Sequence, residues 1–212
     1  MNQHREYYYR HLPHWQPGGA VFFITFRLKG SLPLELIKAL KEEREREKEN
    51  LAKFALDRQA KQNYLDESHY FGKWDRLLDK AEFGPRWLSQ PEIAEVVKEA
   101  LHYRNAQEYD LHAFCIMSNH VHAVFEPLEK QDSSFLSLSK ILQSLKRHTA
   151  RKANIVLARE GAFWQDESYD HVIRDNEEFL RIISYVLENP VKAGLVSKWE
   201  DWPWTFWKDS AL

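Results

Sequence analysis

The stretch Leu111 to Phe125 constrains this chain most. Leu111 to Met117 and His120 to Phe125 are two runs rich in apolar and aromatic residues, separated by Ser118-Asn119 alone. So short a connection closes as a tight turn between two antiparallel strands. The other elements fall into order around this hairpin. Ala20 to Leu28 reads as a strand entered through Pro17-Gly18-Gly19, and Ser31-Leu32-Pro33 opens a helix in which Leu34, Ile37 and Leu40 recur at helical spacing. Ser89-Gln90-Pro91 opens a helix with Ile93, Val96, Val97, Ala100 and Leu101 on one side. Ser137 to Leu157 reads as a helix, Ala162 to Ile173 as a strand with irregular ends, and Glu177 to Asn189 as a helix stopped by Pro190.

With an insertion at about 41–88 set aside, the order is strand, helix, strand, strand, helix, strand, helix. A β-α-β-β-α-β unit is the ferredoxin-like α+β arrangement, an antiparallel sheet with helices on one face, here followed by a C-terminal helix. The insertion is expected to be mostly helical. Lys41 to Glu49 is nine consecutive charges, five Glu and four Lys or Arg, and mixed signs at short spacing suit a solvated helix. A loop region with Tyr70, Phe71, Trp74, Phe83 and Trp87 is expected to follow. At 212 residues the chain fits one domain, residues 1–212, that carries this insertion.

Composition excludes several classes. Hydrophobic residues make up 43% of the chain, enough to bury a core. No apolar run approaches the roughly 18 residues of a membrane span, so no membrane partner is expected. The opening MNQHREYYYRHLPHW lacks the apolar segment of a secretory signal, and a cytoplasmic location is expected. The single cysteine, Cys115, excludes an internal disulfide framework and a multi-cysteine zinc site, and reads as a buried small residue. A net charge of −2 does not mark a nucleic-acid binder, so any such role must come from local charge.

Three local features carry chemistry. In Asn119-His120-Val121-His122 the histidines are two apart on a strand, so they project from one face while Val121 projects from the other. Two neighbouring imidazoles are either a pair of ligands for a divalent cation, which needs a further ligand from elsewhere, or two polar residues on an amphipathic strand. In the last helix Phe179, Ile183, Val186 and Leu187 gather on one side, and Tyr185 lies nearly opposite, near Glu178, Arg181, Glu188 and Asn189. Asn189 is one helical turn beyond Tyr185, in a place where Pro190 disfavours continued helix. That tyrosine is either functional or an ordinary exposed residue at a helix end. Finally, Ser133 to Arg159 holds Lys140, Lys146, Arg147, Arg151, Lys152 and Arg159 without one Asp or Glu. Lys140, Ser144, Arg147 and Arg151 share the side opposite an apolar stripe, which suits either backbone phosphates or solvent.

Taken in order, these segments resemble a known family. Asn119-His120-Val121-His122 resembles the His-hydrophobic-His signature of HUH endonucleases and transposases. Tyr185-Val-Leu-Glu-Asn189-Pro190-Val-Lys192-Ala-Gly-Leu-Val196 resembles the tyrosine helix of the REP-associated tyrosine transposases, which carry an IS200-like transposase domain. Phe163 to His171, Asp201-Trp202-Pro203-Trp204 and Arg5 to Arg10 resemble further segments of that group. The likeness covers about 1–30 and 100–207.

The resemblance implies a DNA nicking and joining enzyme acting on single-stranded or hairpin DNA, nucleoid-associated when bound, as a monomer or homodimer. His120 and His122 would bind Mg²⁺ or Mn²⁺, with Asn189 first and Glu188 or Gln165 next as the further ligand. Tyr185 would be the nucleophile, forming a 5′-phosphotyrosine link; a phenol of pKa near 10 is a poor nucleophile unaided. Lys140, Lys146, Arg147 and Arg151 would hold phosphates. Tyr7, Tyr8 and Tyr9, beside Arg5 and Arg10, read equally as base contacts or as an edge strand. The tryptophans Trp199, Trp202, Trp204 and Trp207 read as a seal on the core rather than a stacking platform, and His171, near the tyrosine helix, as a hydrogen-bonding structural residue rather than a group that assists proton transfer. Two other readings compete: an inactive or domesticated relative that only binds hairpin DNA, and a metal hydrolase that uses water.

Overall fold

The computed structural model describes residues 7–9, 13–15, 17–51 and 72–208. Arg5, Arg10, Tyr70 and Phe71 lie outside the described residues. The chain divides into two compact units, Met1–Lys29 with Arg86–Leu212, and Gly30–Pro85.

The Gly30–Pro85 unit contains α1 (Leu34–Leu51) and a second helix, α2, over residues 72–80. Lys73 on α2 donates to the Glu43 carboxylate of α1 at 2.8 Å. The stretch expected as loop is helical at α2 because Trp74, Leu78 and Ala81 repeat at i, i+4 and i+7, and Leu78 and Ala81 are buried. Gly84, at φ +70°, passes so close to the Gly30 carbonyl that a Cβ there would lie 2.0 Å from its oxygen. No side chain fits that approach.

The larger unit opens with a two-stranded pair, β1 (Tyr7–Tyr9) and β2 (Pro13–Trp15), antiparallel with Tyr7 opposite Trp15. The tyrosine triplet is therefore strand. The main sheet has five strands: β3 (Phe22–Arg27), β4 (Tyr109–Ile116), β5 (His120–Pro127), β6 (Tyr169–Val172) and β7 (Thr205–Trp207). Their order is β6-β3-β5-β4-β7, and every neighbouring pair is antiparallel. This is the α+β ferredoxin-like sheet with one extra edge strand. The hairpin predicted at Ser118-Asn119 is β4–β5. The segment predicted as one strand from Ala162 splits in two: Trp164 bridges Leu28, the chain leaves the sheet, and β6 rejoins β3. The fifth strand, β7, follows a 3₁₀ turn at Trp199–Asp201; it is three residues long and gives no periodic signal in sequence.

Alternation divides the strands between two faces. Phe22, Ile24, Phe26, Leu28, Phe114, Val121, Ala123 and Phe125 form one core with α3 (Pro91–Arg104) and α4 (Leu138–Val156). Helix α4 contributes Leu138, Ile141, Leu142, Leu145 and Ala153 to it, the apolar stripe predicted there. The opposite face carries Phe23, Thr25, Arg27, His120, His122 and Val124, with α5 (Asn176–Leu187) above it. A β-bulge between Leu111 and Ala113 interrupts the β4–β5 register, and the His112 ring meets Phe179 of α5 edge-on at 5.3 Å. Asp175 caps α5 by accepting from the Glu178 amide at 2.8 Å. Among the described residues no helix is long and apolar enough to cross a membrane.

The tryptophan tail packs onto this sheet. The Trp202 indole donates to the Ile116 carbonyl at 3.0 Å, and the Trp202 and Trp204 rings meet edge-on at 5.0 Å. Cys115 is buried, as read.

Candidate active site

His120 and His122 enter the site from the first three residues of β5. Both are fully buried on the face beneath α5, with Val121 turned into the opposite core as the period of two requires. Their rings are fixed from behind. The Asn119 side-chain Oδ1 accepts from His120 Nδ1 at 2.6 Å, and Thr25 Oγ1 meets His122 Nδ1 at 2.7 Å. An amide oxygen only accepts, so His120 carries its proton on Nδ1 and presents a lone pair at Nε2. That lone pair points at His122 Nε2, 3.0 Å away. Two arrangements satisfy this approach. His122 donates from Nε2 while Thr25 donates to its Nδ1, or both Nε2 lone pairs turn to a shared cation while Thr25 accepts from Nδ1. The threonine hydroxyl serves both because it can donate or accept.

The second arrangement fits a metal. Cis ligands of an octahedral cation at about 2.1 Å lie about 3.0 Å apart, the separation of the two nitrogens. Imidazoles held by hydrogen bonds at Nδ1 are the usual outer support of metal-binding histidines. The charge state agrees. Burial pushes His120 down to about 3 and His122 well below the ordinary histidine value, His122 also feeling His120 and Lys192. Both are neutral at physiological pH, the form that ligates.

This pair makes the fold sensitive to acid. A histidine whose folded pKa lies below its unfolded value of about 6.5 stabilises the fold above that pH, and the stability is lost as pH falls toward the folded value. Each histidine is expected to contribute up to about 1.4 kcal/mol of lost stability per pH unit below 6.5. Thermal unfolding with chelator at pH 7, 6 and 5 is expected to show a falling midpoint, and a flat midpoint would exclude a buried neutral pair.

Helix α5 brings Tyr185 to the histidines. Its ring meets His122 at 5.7 Å and Phe23 edge-on at 6.0 Å, and Phe23 itself stacks on His122 at 5.6 Å. Of the polar residues grouped with Tyr185 on α5, Glu178 turns inward while Arg181 stays exposed. Glu178, two turns before Tyr185, is buried against β6, where it accepts from His171 at 2.9 Å and from the Arg174 amide at 2.9 Å. His171 thus has a structural partner.

Pro190 ends α5 without turning the chain away. Glu188 stays near-helical (φ −75°, ψ −4°) and α6 (Asn189–Lys192) begins at once with the proline in its first turn. Asn189 therefore lies about one turn beyond Tyr185. Its side chain is fully buried, and among the described residues neither its Oδ1 nor its Nδ2 has a hydrogen-bond partner. A buried amide without partners is costly and asks for an explanation. A carbonyl oxygen held for a hard cation is one. Glu188 and Gln165, the reserve ligands, are half-buried.

The basic residues lie elsewhere. Helix α4 covers the face of the sheet opposite to the histidines, and Lys140, Arg147 and Arg151 are exposed on its outer side. His148 on α4 is held below its ordinary value by desolvation first and then by Arg104, Lys152 and Arg151. Lys146 turns inward: its ammonium donates to the carbonyls of Gln165 (2.9 Å) and Asp166 (3.1 Å) and to Ser168 Oγ (2.6 Å). It clamps the segment that leaves the sheet between Trp164 and β6. The Trp164 indole anchors the same segment by donating to Thr149 on α4 at 2.8 Å. A groove of about 740 Å³ runs between α4 and this segment, with Lys140, Gln143 and Arg147 on one wall and Asp166, Glu167 and Asp170 on the other.

The structure thus brings His120, His122 and Tyr185 together and leaves the exposed α4 cations across the sheet. Asn119, quoted in the motif only as part of the turn, and Thr25 hold the imidazoles of the candidate site and are not singled out by the sequence. No local signal marks Thr25; only the register that sets it opposite His122 does.

Comparison with known proteins places part of the chain in a family. Residues 86–189 match the family model described as Transposase IS200 like. A REP-associated tyrosine transposase of Escherichia coli K12 is 28% identical over 104 residues, 49% of this chain and 58% of its own length. A Haemophilus influenzae protein given the same family name is 28% identical over 98 residues, 44% of this chain and 56% of its own. The matched segments thus span a little over half the length of these relatives. A solved structure of a REP-associated tyrosine transposase bound to a REP hairpin aligns over 97% of this chain and 82% of its own, at 14% identity and a TM-score of 0.47.

Proposed function

Since residues 86–189 are an IS200-like transposase domain and the chain is a relative of the REP-associated tyrosine transposases, we propose that it is a metal-dependent single-strand DNA endonuclease and strand transferase. Hairpin or palindromic repeat DNA is its substrate in this reading. The observation that carries the proposal is the meeting of the Tyr185 ring with the His122 imidazole, whose Nε2 converges with that of His120 at 3.0 Å.

In this mechanism the Tyr185 hydroxyl oxygen attacks the scissile phosphorus. A Tyr–O–P bond forms and the P–O3′ bond breaks. The phenolic proton passes to water, and the departing 3′-oxygen takes a proton from water. The products are a 5′-phosphotyrosine and a free 3′-hydroxyl. One phosphodiester replaces another, so little bond energy is lost, and a later 3′-hydroxyl can attack the link and rejoin the strands. His120 and His122, through Nε2, and Asn189, through Oδ1, would hold Mg²⁺ or Mn²⁺. The ion supplies Lewis-acid polarisation of the phosphate and neutralises its developing charge. Asn119 and Thr25 keep the imidazoles aimed, and the apolar Phe23 wall limits the Tyr185 ring to one approach.

The exposed cations of α4 would bind a different part of the DNA from the part being cut, because they lie beyond the sheet. Neutralising Lys140, Arg147 and Arg151 is expected to flatten the dependence of log K on log[salt] by about 0.7–0.9 per residue. An unchanged slope removes α4 from the DNA surface and leaves the active site as proposed.

The deciding experiment incubates the full chain with 3′-labelled hairpin oligonucleotides from the flanks of its own gene, with Mn²⁺ or with chelator, and resolves the products on a denaturing gel. A slow covalent species that requires Mn²⁺ supports the proposal. Cleaved strands without an adduct would establish hydrolysis by water, and binding without either product would establish a DNA-binding relative.

A further inference from the structure

We propose that Lys192 is a catalytic residue that binds the scissile phosphate beside Tyr185. This rests on the reading of Tyr185 as the nucleophile. Tyr185, Asn189 and Lys192 are at i, i+4 and i+7, one stripe along the nearly continuous helix α5–α6. Helical side chains lean toward the N-terminus, so a lysine two turns on can reach back over the earlier residue. It does so: the Lys192 ammonium lies 4.7 Å from the centre of the Tyr185 ring.

The position of Lys192 is built, not incidental. Gly194, at φ +69°, ends α6 in a Schellman motif, with the Gly194 amide donating to the Val191 carbonyl at 2.9 Å and the Leu195 amide to the Pro190 carbonyl at 2.9 Å. This closure holds Lys192 in the last turn of α6. The residue is exposed, whereas Tyr185 is half-buried and His122 is fully buried, so the ammonium stands on the solvent side of the ring. Among the described residues it has no carboxylate partner.

Electrostatics gives it a task. The ammonium over the Tyr185 ring is a fixed positive charge on the side from which a phosphate would approach that ring. A phosphodiester carries one negative charge, and a second develops as the tyrosine oxygen adds. An ammonium at the attacked face binds the first charge and binds the transition state more strongly. Lysine suits this role as a compact charge on a flexible stem.

The test compares wild type with Lys192→Met, which keeps an apolar stem over the ring, and Lys192→Arg, which keeps the charge. Thermal melting establishes that each variant is folded. Two readouts are taken on the same hairpin oligonucleotide: the single-turnover rate of adduct formation at saturating DNA with Mn²⁺, and the salt dependence of binding with chelator, where no cleavage competes. Lys192→Met is expected to slow the adduct about 10- to 100-fold and to flatten the log K against log[salt] slope by about 0.7. Lys192→Arg is expected to restore the slope and most of the rate. A folded Lys192→Met with wild-type rate and slope overturns the proposal. So does a slowed rate with an unchanged slope and no rescue by Arg, which would mark Lys192 as ring packing only. If wild type itself forms no adduct, the nucleophile reading fails, while the slope still reports whether Lys192 meets a phosphate.

Discussion

Tyr185→Phe is expected to abolish the covalent protein–DNA adduct while DNA binding persists. The substitution removes one oxygen and keeps the ring. The contacts that hold the ring, with Phe23 at 6.0 Å, His122 at 5.7 Å and the Lys192 ammonium at 4.7 Å, are ring contacts and survive it. Thermal melting of the variant confirms that it is folded, and the effect on the adduct then reports bond formation. Deleting a covalent nucleophile typically costs at least about 10⁴-fold in rate, so the adduct should vanish from a gel that shows it for wild type. The same gel separates the competing chemistry. If Tyr185→Phe still cuts DNA at the wild-type rate, water bound at the imidazole pair is the nucleophile and the tyrosine is structural.

Much of this site is legible in sequence because its pieces are local. A strand fixes the side of every second residue, so His120 and His122 must project together, and the runs on each side of Ser118-Asn119 identify the strand. Helical spacing sets Tyr185 apart from Phe179, Ile183 and Val186 and puts Asn189 one turn further. The rest depends on distant pairings. Thr25 reaches His122 because β3 pairs with β5 across 97 residues of sequence. The α4 cations are legible as a charged face, but which side of the sheet that face takes is decided by packing. Lys146 looks like its basic neighbours in sequence and differs only in pointing at the carbonyls of Gln165 and Asp166. Glu178 reads as a surface carboxylate until β6 places His171 beside it. Strand β7 escapes because three residues carry no period, and its place comes from pairing with β4.

Asn189→Leu is expected to separate stability from activity, and in opposite directions. The Asn189 amide is buried without partners among the described residues. Such a group costs about 1–3 kcal/mol, and an apolar replacement of similar size recovers part of it. With chelator, the leucine variant should therefore melt at or above the wild-type temperature. With Mn²⁺ the order should reverse. A ligand that binds only the folded state stabilises it by about 2.7 kcal/mol at a hundred times its dissociation constant, so wild type should gain a Mn²⁺-dependent rise in melting temperature that the variant has lost or weakened. Adduct formation should fall by at least about 10- to 100-fold, the range already seen when only the outer partners of metal ligands are removed. A variant that is destabilised with chelator and still forms adduct would mean that the Asn189 side chain fills space and that the third ligand lies elsewhere. A side chain buried without partners, in a helix stripe shared with Tyr185 and Lys192, has a reason to be there if a bound ion completes its bonds. The two melting curves, with and without Mn²⁺, measure that reason directly.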